Sequence, residues 1–210
     1  MPASAVPARA VDTVVFDLGG VLLDWDPRHL YRKLIDDPDE LADFLDRVCT
    51  TEWHRKHDLG ISILESCQEL ALEHPQHAEL IMAWAERGEE MISGPIDGTV
   101  RVLADLRRAK VPCFALSNME AETFPVRRDR FAFMRCFDGY VISGIEGIAK
   151  PDPAIFELLL TRHGLDPART VFIDDSPRNV TAAEQAGVTG IRFGDPEQLR
   201  AELRVLGLPA

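Results

Sequence analysis

The sequence predicts an α/β protein, a three-layer α/β/α sandwich around a parallel sheet with an inserted α-helical cap. Three observations carry this. Five short apolar runs each stop at a turn residue or an acid, helical patterns separate the later runs, and the stretch 27–94 has helical spacing but no run that reads as a strand. Strands alternating with helices imply parallel pairing with both faces covered.

The elements follow in chain order. Residues 1–10 read as a loose leader. Residues 11–17 (VDTVVFD) form a β-branched run, as a buried strand requires, and end in the backbone-permissive Leu18-Gly19-Gly20. The runs 111–117, 139–143, 170–175 and 189–193 end at Asn118, Gly144, two acids and Gly194. Helices are expected over 98–109, 153–163, 179–186 and 196–206. The second of these opens on Asp152 as N-cap with Pro153 at the first helical position. Within 27–94, helices are expected over 28–35, 39–48, 62–73 and 76–92. Leu41, Phe44, Leu45 and Val48 repeat at helical spacing. This block is too long for an ordinary crossover. It divides the chain into a core of 11–26 with 95–210 and a cap of 27–94.

Composition narrows the function. The 210 residues suffice for one large domain or a core with an insertion, and the formal net charge is −12. So acidic a chain is a poor ligand for nucleic acid or an anionic membrane surface, because both are bound mainly through Lys and Arg. A small anionic substrate can still be bound, but only through a local cationic site or a metal, and the protein is expected to be a monomer or homodimer. Cys49, Cys67, Cys113 and Cys136 lie far apart in sequence, which is neither a zinc pattern nor a disulfide framework. They are expected to be buried free thiols of a cytoplasmic protein.

In open α/β sheets, ligands bind beyond the carboxyl ends of the strands. Asp17, Ser117, Asn118, Asp174 and Asp175 occupy those ends, and Lys150 follows the third strand in a glycine-rich loop. Singly, each has an ordinary explanation as turn residue, helix cap or solvated lysine. Together they describe a metal-assisted phosphoryl-transfer site. Two adjacent acids ending an apolar strand are costly to bury without a cation. Mg²⁺ suits hard oxygen ligands, here Asp17, Asp175 and a carbonyl of the Gly19 turn. One Asp17 oxygen remains to attack phosphorus. Lys150 neutralises the charge they share, and the Ser117 hydroxyl with a donor from Asn118 holds a phosphoryl oxygen. As a loop residue, Lys150 is expected to be replaceable by alanine without unfolding.

These motifs, in this order, resemble the haloacid dehalogenase (HAD) superfamily: VVFDLGGVLLDWD, LSN, KPDP and VFIDDSPRNV. The match runs from Val11 to about Gly194, and the helical block after the first motif is similar to a C1-type cap on a Rossmann-like core. The resemblance implies that Asp17 is the nucleophile and that the Gly19 carbonyl and Asp175 ligate Mg²⁺. It also implies that Asp174 binds the metal or its water from further out, and that Ser176 and Asn179 steady the acidic loop.

One position departs from the pattern. Family phosphatases carry a second aspartate two residues after the nucleophile as general acid and base, where this chain has Gly19. A subgroup best known for sugar 1-phosphates shares the D-x-G form. A water, Asp24 or Asp26 is left to carry the proton. The expected partner is a small phosphorylated metabolite. A catalytically weak binding protein and a 2-haloacid dehalogenase are the alternatives. The first is kept open by Gly19, and the second is opposed by the Asp174-Asp175 pair. Trp84 is expected in the cap core, and Trp53 with Arg55 near Asp58-Leu59-Gly60 facing the substrate.

Overall fold

A computed structural model describes residues 10–210, so the expected leader lies, Ala10 aside, outside the described residues. The chain begins with β1 (Thr13–Phe16) and β2 (Leu23–Trp25). It then enters a helical block of α1 (Arg28–Tyr31), α2 (Pro38–Arg47), α3 (Thr51–His54), α4 (Ile63–Glu73) and α5 (Ala78–Arg87). It returns through β3 (Ile92–Pro95) to α6 (Asp97–Arg108), β4 (Cys113–Ser117), α7 (Phe124–Arg130), β5 (Gly139–Ile142) and α8 (Ser143–Glu146). The last elements are α9 (Pro153–His163), β6 (Thr170–Asp174), α10 (Pro177–Gln185), β7 (Thr189–Arg192) and α11 (Pro196–Val205).

The five runs read from the sequence form one parallel sheet in the order β5-β4-β1-β6-β7. The chain winds outward from β1 to one edge, then crosses back to the other side. The carboxyl ends of β1 and β6 therefore meet at a topological switch point, where such sheets open a crevice. Period-two alternation explains the double burial. Val14, Phe16, Cys113, Ala115, Val171 and Ile173 point into one layer with Leu103 and Leu106 of α6 and Leu199 and Leu203 of α11. Val15, Phe114, Leu116 and Phe172 point into the opposite layer with Ile155, Phe156 and Leu159 of α9 and Ala183 of α10. Burying each large apolar side chain contributes about 1.5–3 kcal/mol. Asp152 caps α9 as expected, its carboxylate accepting from Ala154 N at 2.9 Å.

The helical block buries its own apolar faces: Leu30, Tyr31, Phe44, Trp53, Cys67, Ile81 and Trp84 share one cluster. It differs from the sequence reading at several points, and α3 is a helix not expected there. β2 and β3, both missed, pair antiparallel as the two legs that carry the chain out of the core and back. At three and four residues they are too short to show a period. The helix expected over 28–35 stops at Tyr31, because the chain must turn before Asp37, whose side chain caps α2. The helix expected over 76–92 ends at Arg87, where Gly88–Met91 tightens into a 3-10 turn leading to β3. Cys49, Cys67 and Cys113 are buried free thiols, and burial pushes each up to about 12. Cys136 instead is exposed, at the end of the 3-10 turn Ala132–Cys136. Among the described residues, no helix is long and apolar enough to cross a membrane.

Candidate active site

Asp17 leaves β1 at the switch point, with Asp174 closing β6 beside it and Asp175 one residue further. Carboxylate oxygens of the three lie within 4.8 Å of one another. Lys150 Nζ sits among them, 2.9 Å from Asp17 Oδ1, 2.7 Å from Asp174 Oδ2 and 2.9 Å from the Leu116 carbonyl. Its three N–H donors thus meet three acceptors, and its side chain is fully buried. That corrects the picture of a loop lysine carrying little packing. The chain tucks Lys150 under the sheet's carboxyl edge, where the Asn118 side chain clamps its backbone. Asn118 Oδ1 accepts from Lys150 N at 2.8 Å, and Asn118 Nδ2 donates to Lys150 O at 3.0 Å.

Asp174 is fixed from the other side, accepting from Ser176 N at 2.9 Å and from Asn179 Nδ2 at 3.0 and 3.1 Å. On Asp17, Oδ1 takes both the lysine and the Leu18 N–H, the latter at 2.7 Å. Three carboxylates face one ammonium, and the titration follows from that imbalance. Burial, with Asp174 and Asp175 adding to it, lifts Asp17 to about 8 against the pull of Lys150. Burial and Asp174 also raise Asp175. Burial works against the ammonium of Lys150, but Asp17 and Asp174 outweigh it and hold the group protonated. A site so short of positive charge and built of hard oxygens suits a divalent cation.

The turn between β1 and β2 explains the glycines. Gly20 has a φ of 72°, and a Cβ there would stand 2.7 Å from Asp175 Oδ2. Gly19 is different. Its φ lies outside the left-handed region, and a Cβ on it meets nothing within 4 Å. Position 19 therefore has room for a side chain that the sequence does not supply.

Asp17, Gly19, Gly20, Asn118 and Asp175 line a cleft of about 310 Å³ between the core and the helical block. His54 and Asp58 line it from the block side and Trp25 from the end of β2, with Met119, Glu120 and Arg127 on the segment after β4. The Ser117 hydroxyl is buried without a hydrogen-bond partner among the described residues, an orphan donor at the end of β4.

Two expectations fail here. Trp53 is buried against His57 and Trp84, with ring centroids 4.6 and 5.2 Å away, and does not line the cleft. Its place on the cleft wall is taken by Trp25, whose ring stacks on His54 at 5.0 Å. The side chains of Asp24 and Asp26 also lie outside this cleft. Asp24 is bound by Ser93 and by His29 at 3.2 Å, while Asp26 accepts from Arg28 N at 2.8 Å.

Glu120 and Arg127 were not found by sequence reasoning, which had no signal for them. They are one turn of chain and a short helix past the LSN motif, in a segment read as connection. Arg127 Nη1 bonds Glu120 Oε2 at 2.9 Å and Arg127 Nε bonds Glu89 Oε1 at 2.9 Å. The guanidinium thus ties the loop after β4 to the 3-10 turn after α5.

The fold and this arrangement define a class, and comparison with known proteins agrees with it. The haloacid dehalogenase-like hydrolase family matches residues 11–187, and the chain belongs to that family. Over 197 residues it is 27% identical to the sesquiterpene phosphatase astK of Aspergillus oryzae, covering 91% of this chain and 94% of that protein. It is also 27% identical over 194 residues to the phosphorylated carbohydrates phosphatase of Thermotoga maritima, covering 86% and 84%. A HAD family enzyme of Bacteroides thetaiotaomicron, crystallised with magnesium and inorganic phosphate, superposes with a TM-score of 0.67 at 22% identity, over 88% of this chain and 95% of that one. The last likeness is one of fold.

Proposed function

We propose that the protein is a Mg²⁺-dependent phosphatase of a small phosphorylated metabolite, acting through an aspartyl-phosphate intermediate on Asp17. The observation that carries this is the position of Lys150 Nζ between Asp17 Oδ1 and Asp174 Oδ2, beside a third carboxylate. Asp17, Asp175 and the Gly19 carbonyl would hold the Mg²⁺, with Asp174 behind them, and the ion when bound would neutralise phosphoryl oxygens. The phosphatase relatives support the same reading.

Asp17 forms its bond to phosphorus as the ester oxygen leaves with the electron pair of the P–O bond. Lys150 holds the attacking carboxylate in register and favours its ionised form against the burial that raises it, and a bound divalent cation would add to that pull. The Ser117 hydroxyl and the Asn118 backbone N–H are the donors for a phosphoryl oxygen. The Asn118 side chain contributes indirectly, through its clamp on Lys150. Water then attacks phosphorus and frees Asp17.

The cleft wall bears on the leaving group. Arg127, the one Lys or Arg among its described lining residues, is committed to Glu120 and Glu89. A second anionic group would find no free cation there, which favours a neutral, polar or apolar alcohol such as a sugar over a carboxylate. The test is phosphate release from an aryl phosphate, sugar 1-phosphates and prenyl phosphates, with Mg²⁺ and with EDTA. Turnover that needs Mg²⁺ and disappears in Asp17→Asn supports the proposal. Absence of turnover on all of them favours a binding protein.

A further inference from the structure

We propose that Asp58, carried by the helical block, delivers the proton to the departing alcohol oxygen and takes it back from the attacking water. This rests on the phosphatase reading. The task needs an acid inside the cleft, and position 19 has none. Among the described residues, the carboxyl groups lining the cleft are those of Asp17, Asp58, Glu120 and Asp175. Asp17 bonds to phosphorus, and Asp175 belongs to the acidic cluster. Glu120 is ion-paired with Arg127 at 2.9 Å and accepts from Thr123 Oγ1 at 2.7 Å. Burial works to raise Glu120, but Arg127, ahead of the smaller pull of the Thr123 hydroxyl, overcomes it and holds it down at about 2. It has no proton to give. Burial keeps the His54 imidazole neutral, and a neutral ring is a poor acid.

Asp58 remains. It is 6% exposed, and no hydrogen bond from the described residues reaches its carboxyl. The charged groups acting on it are Glu120, Lys150, Arg55 and Arg127. Burial, reinforced by Glu120, lifts it to about 7 against the three cations, so at neutral pH a large fraction carries a proton.

Its position is set by packing. The 3-10 turn His57–Leu59 closes on Gly60 at a φ of 91°, and a Cβ on Gly60 would stand 2.7 Å from the Gly144 carbonyl. Gly144 N donates in turn to Met119 O at 3.0 Å, and Met119 lines the cleft. Backbone thus rests on backbone from the turn that bears Asp58 to the loop that follows β4. As the P–O ester bond breaks, the Asp58 proton moves to the alcohol oxygen. When water attacks the aspartyl phosphate, its proton returns to the Asp58 carboxylate.

The experiment compares kcat/KM on p-nitrophenyl phosphate and on a primary alkyl phosphate, with Mg²⁺, because this parameter includes alcohol departure. A nitrophenolate leaves without help, whereas an alkoxide needs the proton. Asp58→Asn should lose roughly 10²–10⁴ on the alkyl ester and at least tenfold less on the aryl ester. Gly19→Asp placed in that background should recover alkyl turnover, since position 19 admits a side chain. Asp58→Glu, which keeps the acid, should exceed Asp58→Asn on the alkyl ester. Equal losses on both esters, no loss on either, or the reverse order of Glu and Asn overturns the assignment of Asp58. A wild-type protein inert on both esters overturns the phosphatase reading itself, and with it this inference.

Discussion

Gly20 and Asp175 stand so close that one added carbon would collide: a Cβ on Gly20 would lie 2.7 Å from Asp175 Oδ2. The adjacent Gly19 has no such neighbour. Of the two consecutive glycines, only Gly20 is required by the space around it.

Gly20→Ala should cost about 1–3 kcal/mol from the left-handed backbone and the displaced carboxylate, and should weaken Mg²⁺ binding. Gly19→Ala should change stability by less than about 1 kcal/mol, because it meets open space. Thermal melts of the two variants with and without Mg²⁺ check this. Equal losses would contradict the stated geometry.

Lys150→Ala should abolish turnover and also cost about 3–5 kcal/mol, since it removes the buried cation and the hydrogen bonds that it gives Asp17 and Asp174. Lys150→Arg should not restore activity, because a planar fork cannot meet three acceptors arranged around one nitrogen. Denaturant titration in EDTA gives the stability term. A melt matching the wild type would mean that the ammonium is not buried as described.

Stability should depend on pH and on metal together. Asp17 holds its proton in the folded state up to about 8, far above its ordinary value of 3.8. Its contribution is complete below about pH 4 and is lost as pH rises toward 8, with a slope of at most about 1.4 kcal/mol per pH unit. In EDTA the wild type should therefore weaken over that range, Asp17→Asn should weaken less, and Mg²⁺ should restore the wild type at pH 8. A denaturation midpoint at pH 8 that ignores both the substitution and the ion would refute this.

Arg127 lies buried between Glu120 and Glu89. Arg127→Met should destabilise by about 3 kcal/mol or more, and adding Glu120→Gln should recover part of that loss by removing the stranded charge. A double-mutant cycle on unfolding free energies measures the coupling. Strict additivity would show that the two residues act independently.

The five strands, their flanking helices and the three strand-end acids can be read from the sequence alone, whereas the order of the strands cannot. Each rests on local information: short β-branched apolar runs, helical spacing, and Asp17 and Asp174 at the ends of those runs. The sequence also showed that an acid is missing at Gly19. It assigned Lys150 to the acids but did not show that the lysine is buried, because a lysine before Pro151 looks the same whether solvated or enclosed. It placed Trp53 at the substrate when the apolar cluster of the helical block claims it, since an amphipathic turn does not reveal which face meets the cleft. β2 and β3 carry no period because each is stabilised by the other, across about seventy residues of sequence. Asp58 belongs to the helical block and Glu120 and Arg127 to the segment after β4, so Asp58 meets that ion pair only when the block packs against the core. Their charge states are set by burial and by one another, and neither exists before the chain has folded.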